Sequence, residues 1–239
     1  MKVNYRNIFA LALVSFTLSA PALRADEKDL YDFMWLDPDK KVYVLQNKVH
    51  KKANTVYLNI GYGTGLSSNF VDTSMIHSNF GYYIAEEWAL EGMYTKYSNS
   101  DNDAFENLKK LNGSIPFIRK TESNFGLLVK WAPFYGKINT FNKIFYFDWS
   151  FAAGAGKLNT KSNATSVANP LQANTYKDEK YTSVILKTGL SLHATKNINI
   201  GADIIMNNYK APGPTINGQA PSSKIRNNVD AVISIGVSF

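Results

Sequence analysis

The chain contains no cysteine, which excludes disulfide bridges, thiolate metal sites and a cysteine nucleophile. Charged residues are also few, at 19% of the 239 residues compared with about 25% in an average soluble domain. Beyond the first 25 residues, no run approaches the ~18 consecutive apolar residues that a transmembrane helix requires. What the chain has instead is aromatic bulk, with 14 Tyr, 14 Phe and 4 Trp, and this composition favours strands over helices.

The first 25 residues have the order of a secretory signal peptide. A basic start, Met1–Arg6, is followed by the apolar stretch 8–18 and by small residues around Ala22 and Ala25. As a helix the apolar stretch would rise only about 16 Å, roughly half of a bilayer core, which disfavours a membrane anchor. We therefore predict cleavage after Ala22 or Ala25. Because the removed segment carries three basic residues, the net charge of +7 does not indicate a nucleic-acid partner.

Eight segments with period-2 alternation follow, separated by clusters of Gly, Asn, Ser, Asp and Pro. They are 54–63, 73–84, 87–97, 124–132, 142–154, 181–193, 197–208 and 228–239. In the fifth segment Phe145, Phe147 and Trp149 share one face, and Asp148 and Ser150 share the other. The lengths are close to the ~9–11 residues that a tilted strand needs to cross a bilayer.

Alternation alone does not say which face points outward, since a soluble lipocalin-like barrel would place the apolar face inside. The polar face here carries Gly, Ser and Asn with single charges of both signs, which suits a narrow lumen filled by side chains. We predict a lumenal charge network that stabilises the barrel and closes the pore. Its members are Glu91, Lys130, Asp148, Lys187, Asp203 and Asp230.

Aromatic residues and loop lengths also favour a membrane barrel. Large aromatics lie towards strand ends on the apolar face, where interfacial girdles belong. These predicted interfacial residues are Tyr62, Tyr82, Trp88, Tyr94 and Trp131. Long connections, 64–72, 98–123, 155–180 and 209–227, alternate with shorter turns at 85–86, 133–141 and 194–196. The long connection 98–123 contains a predicted helical turn, Asp103–Leu111. We predict an all-β, eight-stranded antiparallel up-and-down transmembrane β-barrel over residues 53–239, in the bacterial outer membrane.

Several strings of the sequence resemble one known family, the myxobacterial and Bdellovibrio-type outer-membrane β-barrel domain family. They are Leu30–Lys48, Ala132–Asn139, Phe147-Asp148 and Gly154–Gly156. The resemblance implies location and fold but little about activity, because the family is largely uncharacterised. We interpret Pro133–Asn139 as a structural periplasmic turn.

The end of the sequence resembles the signal by which the barrel-assembly machinery recognises its substrates. The residues concerned are Ile233, Ile235, Val237 and Phe239. This resemblance implies the assembly machinery as a partner during biogenesis, beside outer-membrane lipid and lipopolysaccharide.

Residues 26–52 precede the predicted barrel and are too apolar for a free linker. They form either a periplasmic arm packed on the base of the barrel or a plug that enters the lumen, and the sequence favours neither.

Signals of catalysis are weak, and we predict a non-enzymatic protein without metal or cofactor. His50 is expected to be solvated, and His77 and His193 to face inward. An alternative is lipid A modification, but His77 and Ser78 are adjacent and point to opposite faces. Ser191 and His193 share a face, yet lie about 7 Å apart along a strand. We expect a structural, surface-contact or ligand-binding role carried by the external loops, with a narrow pore as a further alternative.

Overall fold

The computed structural model describes residues 49–113, 115–140, 143–167, 174–214 and 222–239. The predicted signal peptide, residues 1–25, and most of the predicted arm lie outside these residues.

Eight strands and two short helices follow one another along the described chain. The strands are β1 (Val56–Gly65), β2 (Val71–Tyr83), β3 (Trp88–Asp101), β4 (Arg119–Thr140), β5 (Lys143–Ser162), β6 (Lys177–His193), β7 (Ile198–Pro212) and β8 (Ser223–Ser238). Helix α1 (Asp103–Asn112) lies between β3 and β4, and α2 (Ala164–Val167) lies between β5 and β6. Within the described part of the chain, neither helix is long and apolar enough to span a membrane.

Each strand pairs antiparallel with the next one, and β1 pairs with β8 to close the barrel. At the closure, the Val56 N–H donates to Phe239 O at 3.1 Å and the Phe239 N–H donates to Val56 O at 2.9 Å. Closure gives the two terminal strands a hydrogen-bonding partner on both sides. The predicted eight-stranded antiparallel up-and-down barrel is confirmed. We call the end at which β1 begins and β8 ends the termini end, and the opposite end the loop end.

The alternation sorts the side chains as predicted, with large apolar residues outside and most polar residues inside. Leu127 is 64% exposed on the outer surface, whereas its neighbours on β4, Gly126 and Leu128, face the interior. Glycines on the inner face make room for larger neighbours. A Cβ at Gly61 would lie 2.8 Å from Val232 Cγ1, inside van der Waals contact.

The middle of the interior is apolar, which differs from the polar lumen that we predicted. Its buried residues are Met75, Met93, Tyr97, Leu128, Ala152, Ile185, Ile205 and Val232. The sequence hides this layer because Ile185 follows outward-facing Val184, and Ile205 follows outward-facing Ile204. In such apolar runs the period-2 signal is lost.

The strands reach further towards the loop end than predicted. β5 ends at Ser162 instead of residue 154, and β6 begins at Lys177 instead of residue 181. The extension is paired, with Lys161 opposite Asp178 and Ser162 opposite Lys177. Polar residues occupy both of its faces, so the sequence has the composition of a loop although the backbone forms a ladder.

The prediction of a turn at residues 133–141 was wrong. β4 runs to Thr140, and its last residue pairs with Lys143 of β5. The β4–β5 register shifts between Trp131 and Phe134, and the β3 ladder ends at Trp131, so Pro133 lies at a bulge beyond the pairing with β3. A proline is tolerated there because no neighbouring strand needs its missing N–H.

The helical turn predicted at Asp103–Leu111 is confirmed as α1. Asn102 caps its start by accepting the Phe105 N–H at 3.1 Å. Gly113, at φ 60°, ends it and donates its N–H to Lys109 O at 3.0 Å. Phe105 is buried against Val71 and Ile118, which anchors the helix to the loop end of the barrel.

Candidate functional site

A cluster of buried charges surrounds Glu91 inside the barrel. Glu91, on β3, has no exposed side-chain area, and its carboxylate accepts Lys187 Nζ and Tyr57 OH, each at 2.6 Å. Lys130 Nζ lies 3.9 Å from the same carboxylate. One anion therefore connects side chains from β1, β4 and β6 across the lumen.

The two lysines of this cluster have further partners. Lys187 Nζ lies 3.5 Å from Asp203 Oδ2 on β7. Lys130 Nζ lies above the rings of Tyr57 and Tyr83, at 4.7 Å and 5.7 Å from their centroids. The Glu91 cluster thus holds two cations and two anions in a space that water enters little. Such pairs are stable only while every charge keeps its partner.

A second charged group lies nearer the termini end and is centred on Asp148. Its carboxylate contacts Lys52 Nζ at 2.6 Å and His193 Nε2 at 2.8 Å. The ring of His50 stacks on His193 at 4.3 Å, so His50 is half-buried and not solvated as predicted. Burial and the charge that His193 can carry lower the pKa of His50. No sequence pattern indicated that Lys52, a residue of the predicted arm, is a partner of Asp148.

Asp230 lies apart from both groups, although we predicted it in the same network. Its carboxylate accepts Tyr97 OH at 2.7 Å and Asn207 Nδ2 at 3.3 Å. Within the described residues, no lysine or arginine pairs with it. The apolar layer that includes Tyr97 and Val232 separates it from Glu91.

The five predicted interfacial aromatics all face outward and are 41–66% exposed. Tyr62 and Tyr94 lie towards the loop end, whereas Tyr82, Trp88 and Trp131 lie towards the termini end. The rings of Trp88 and Trp131 stack at 6.0 Å. We did not predict one neighbour of the aromatic row at the termini end, Trp149, whose ring is 5.7 Å from that of Phe134. Trp149 lies in the middle of the predicted segment 142–154, so the sequence did not indicate that it is at the same level as this row.

Three of the predicted assembly residues, Ile233, Ile235 and Val237, lie on β8 between β1 and β7, and Phe239 follows the end of this strand. Ile233, Ile235 and Phe239 are exposed on the outer surface, and Val237 is half-buried. Their role as a signal stays a prediction.

A cavity of about 390 Å³ lies at the loop end of the barrel. Its lining includes Arg119 on β4, Arg226 on β8 and Phe117, with Asp230 also in the wall. We did not predict this site, because Arg119 and Arg226 fall in segments that we read as loops, 98–123 and 209–227. Only the pairing of the extended strands brings them together.

Arg119 is held rigidly beside this cavity. Its Nε donates to Glu179 Oε2 and its Nη2 donates to Pro212 O, both at 2.8 Å. The side chain is only 4% exposed, and Nη1 is buried without a hydrogen-bond partner among the described residues. Burial by itself would raise the pKa of Glu179, but hydrogen bonds from Arg119, Ser162 and Tyr181 outweigh burial and lower it.

Replacing Glu179 by Gln should destabilise the loop end more at neutral pH than in acid. The pKa of Glu179 is lower in the folded than in the unfolded chain, so its carboxylate stabilises the fold above the unfolded value of about 4.3. That contribution is lost as the pH falls through the lower folded pKa. We expect Glu179→Gln to lower the thermal midpoint in detergent at pH 7, and the difference from the unchanged protein to be smaller at pH 3, below the unfolded pKa.

The control for this measurement is Glu122→Gln, which removes a carboxylate from the more exposed Lys161–Glu122 pair, 3.0 Å apart. Exposed pairs contribute little, so its midpoint should stay close to that of the unchanged protein at both pH values. A Glu179→Gln difference that is the same at pH 7 and pH 3 would contradict the assigned role of the carboxylate.

The histidines do not form a nucleophile–base pair with a serine in the described structure. His77 Nδ1 lies 2.8 Å from Thr95 Oγ1, and Ser78 belongs to the opposite face. His193 is bound to Asp148, and no hydrogen bond joins it to Ser191 within the described chain. Nor do three or more His, Asp or Glu of the described residues lie close enough together to hold a metal ion.

Comparison with protein-family models finds no match, so the resemblance to the myxobacterial and Bdellovibrio-type family stays a prediction. No curated protein matches the chain. Among solved structures, the chain is similar to the N-terminal β-barrel domain of OprF from Pseudomonas aeruginosa, with a TM-score of 0.47 and 12% identity over 78% of this chain and 98% of that one.

The outer membrane protein OprG from the same organism gives a TM-score of 0.46 and 14% identity, over 80% of this chain and 98% of that one. Ail, the attachment invasion locus protein of Yersinia pestis, gives a TM-score of 0.40 and 11% identity, over 78% of this chain and 99% of that one. The description of this chain therefore rests on its own topology, an eight-stranded antiparallel up-and-down β-barrel.

Proposed function

We propose that the protein is an integral β-barrel of the bacterial outer membrane, with a closed lumen and with a surface-contact or ligand-binding role carried by its external loops. The observation that carries the proposal is a continuous apolar belt on the outside of the barrel. The belt includes Leu58, Ile60, Ile76, Phe80, Leu90, Leu127, Val129, Val184, Leu186, Leu190, Ile200, Ile204, Ile233 and Ile235.

A belt of this kind is incompatible with water as the surrounding solvent. Monomeric soluble proteins rarely expose contiguous apolar patches larger than a few hundred Å². A lipocalin-like barrel would place these residues inside and its charges outside. Here Glu91, Lys187 and Asp148 are buried while Leu127 and Ile60 are exposed. Hydrocarbon is the environment in which this arrangement is stable.

The interior supports a closed lumen. Eight strands enclose a space that side chains alone can fill. From the termini end, the Asp148 group, the Glu91 cluster and the apolar layer around Met75 and Ile185 follow one another along the barrel. Nothing in this sequence of layers favours conduction, and the loops at the opposite end from the termini remain the region available for contacts.

Heat modifiability tests the proposal. The full chain is purified from membranes in mild detergent, and its gel mobility is compared with and without boiling, beside a far-ultraviolet circular dichroism spectrum. A mobility shift with a β spectrum would support the membrane barrel. Recovery in the soluble periplasmic fraction would overturn it, and a steady, large conductance in a planar bilayer would overturn the closed lumen.

A further inference from the structure

We infer that the loop-end cavity binds a small polar ligand with a phosphate or sulfate ester at one end and hydroxyl groups at the other, such as a phosphorylated or sulfated sugar. The inference deepens the proposed function, on which it rests for the side of the membrane from which the ligand comes. The geometry within the cavity is independent of that orientation.

The first observation is the buried guanidinium of Arg119. Two of its nitrogens are already fixed, by Glu179 and by the carbonyl of Pro212, so the side chain has one orientation. The third nitrogen, Nη1, is buried and has no partner among the described residues. An unpaired buried N–H of a charged group is costly, and an oxyanion bound in the cavity would satisfy it.

The second observation is a second guanidinium on the same cavity wall. Among the described residues, Arg226 Nε is also buried without a hydrogen-bond partner, and no carboxylate forms an ion pair with Arg226. Both guanidinium groups lie over the ring of Phe117, with centroid distances of 5.2 Å for Arg119 and 5.6 Å for Arg226. A ring face attracts cations without neutralising them. Phe117 thus has two guanidinium groups within 5.6 Å of its ring centroid, and a tetrahedral oxyanion is a ligand that fits such forked donors.

The remaining lining indicates the rest of the ligand. A space of about 390 Å³ is larger than an inorganic ion needs. The other lining residues are mainly hydroxyls and amides, among them Ser67, Ser68, Asn69, Asn99, Asn227 and Asn228. Asp230 lies in the same wall, and only its Oδ2 accepts hydrogen bonds from described residues. A carboxylate repels an anion but accepts a hydroxyl, which orients the ester towards the arginines and the hydroxyl groups towards Asp230.

The test is equilibrium binding to the purified full chain in non-ionic detergent micelles. The probes are glucose 6-phosphate, glucose 6-sulfate, inorganic phosphate, glucose and a lipid-linked phosphosugar added to the micelles. We expect both glucose esters to bind at least about tenfold more tightly than glucose or phosphate, since either alone fills only half of the site. A higher affinity for the lipid-linked probe would identify a membrane lipid as the source, and a higher affinity for the free esters a soluble ligand.

Arg226→Gln should weaken binding of the esters at least about tenfold, because the uncompensated charge and the donor at Nε are both lost. The matched control is Lys224→Gln, which removes the same charge from β8 outside the cavity lining and should leave the affinity unchanged. Asp230→Asn should bind inorganic phosphate severalfold more tightly and lose the preference for the glucose esters.

Two outcomes would overturn the inference. One is that no ester binds, and the other is that binding is the same in Arg226→Gln as in the unchanged protein. The heat-induced mobility shift is recorded for every variant, so that a lost barrel is distinguished from a lost site. A chain that shows the shift but binds no ester would overturn the ligand site and leave the membrane barrel standing.

Discussion

Replacing Glu91 by Gln should lower the free energy of unfolding by about 3–5 kcal/mol, the usual loss when one partner of a buried ion pair is removed. Gln has nearly the same shape, so the change removes the charge without leaving a cavity. Among the described residues, Lys187 would keep only Asp203 as an ion-pair partner, 3.5 Å away, and Lys130 would keep the two tyrosine rings. Chemical unfolding of the protein refolded into lipid vesicles, followed by tryptophan fluorescence, measures the loss.

A double variant separates the loss of the pair from a general disturbance of the core. In Glu91→Gln/Lys187→Met, the two buried charges disappear together, and Lys130 and Asp203 remain as one cation and one anion. We expect the double variant to be more stable than Glu91→Gln alone, because no buried charge is left in excess. Two results would contradict the central position of Glu91. One is that the stability losses of Glu91→Gln and Lys187→Met simply add in the double variant, and the other is that Glu91→Gln alone costs less than about 1 kcal/mol.

The fold was predictable because its signals are local. Outward residues such as Phe145 and Trp149 alternate with inward Asp148 within a few positions, and a strand turns this alternation directly into two faces. The signal fails where neighbours have the same polarity. Lys161 and Ser162 lie at the paired loop end of β5, which is polar on both faces, and Ile185 lies in an apolar run.

The partners inside the barrel were predictable as a set but not as pairs. Alternation places Glu91, Lys187 and Asp203 on the inner face, but only the register of the sheet decides which of them meet. For Asp230, the same register places an apolar layer between it and the lysines.

The loop-end cavity depends on contacts even more distant in sequence. Arg119 and Arg226 lie on different strands, and both contact Phe117, which precedes β4. No sequence pattern marks this proximity, because neither arginine lies in an alternating segment.

Replacing Leu127 by Lys should cost about 2–4 kcal/mol, because a lysine on the lipid-facing surface near the bilayer midplane must bring its charge into hydrocarbon. Leu127 lies between Phe125 and Trp131 on β4 and is 64% exposed on the outside of the barrel. In water, the same exposed position would accept a lysine within about 0.5 kcal/mol. The measurement is again the free energy of unfolding in vesicles.

Leu66→Lys is the matched control, because Leu66 is 60% exposed just after the end of β1 at the loop end, beyond the belt and outside the cavity lining. Its replacement should change the stability by less than about 0.5 kcal/mol. The two substitutions introduce the same charge at positions of similar exposure. The difference between their effects on the free energy of unfolding therefore reports what surrounds the barrel at each position. A large cost at Leu127 alone would mean that hydrocarbon surrounds the belt. Equal, small costs would mean that water or another protein surface covers it, and the proposed membrane location would fall.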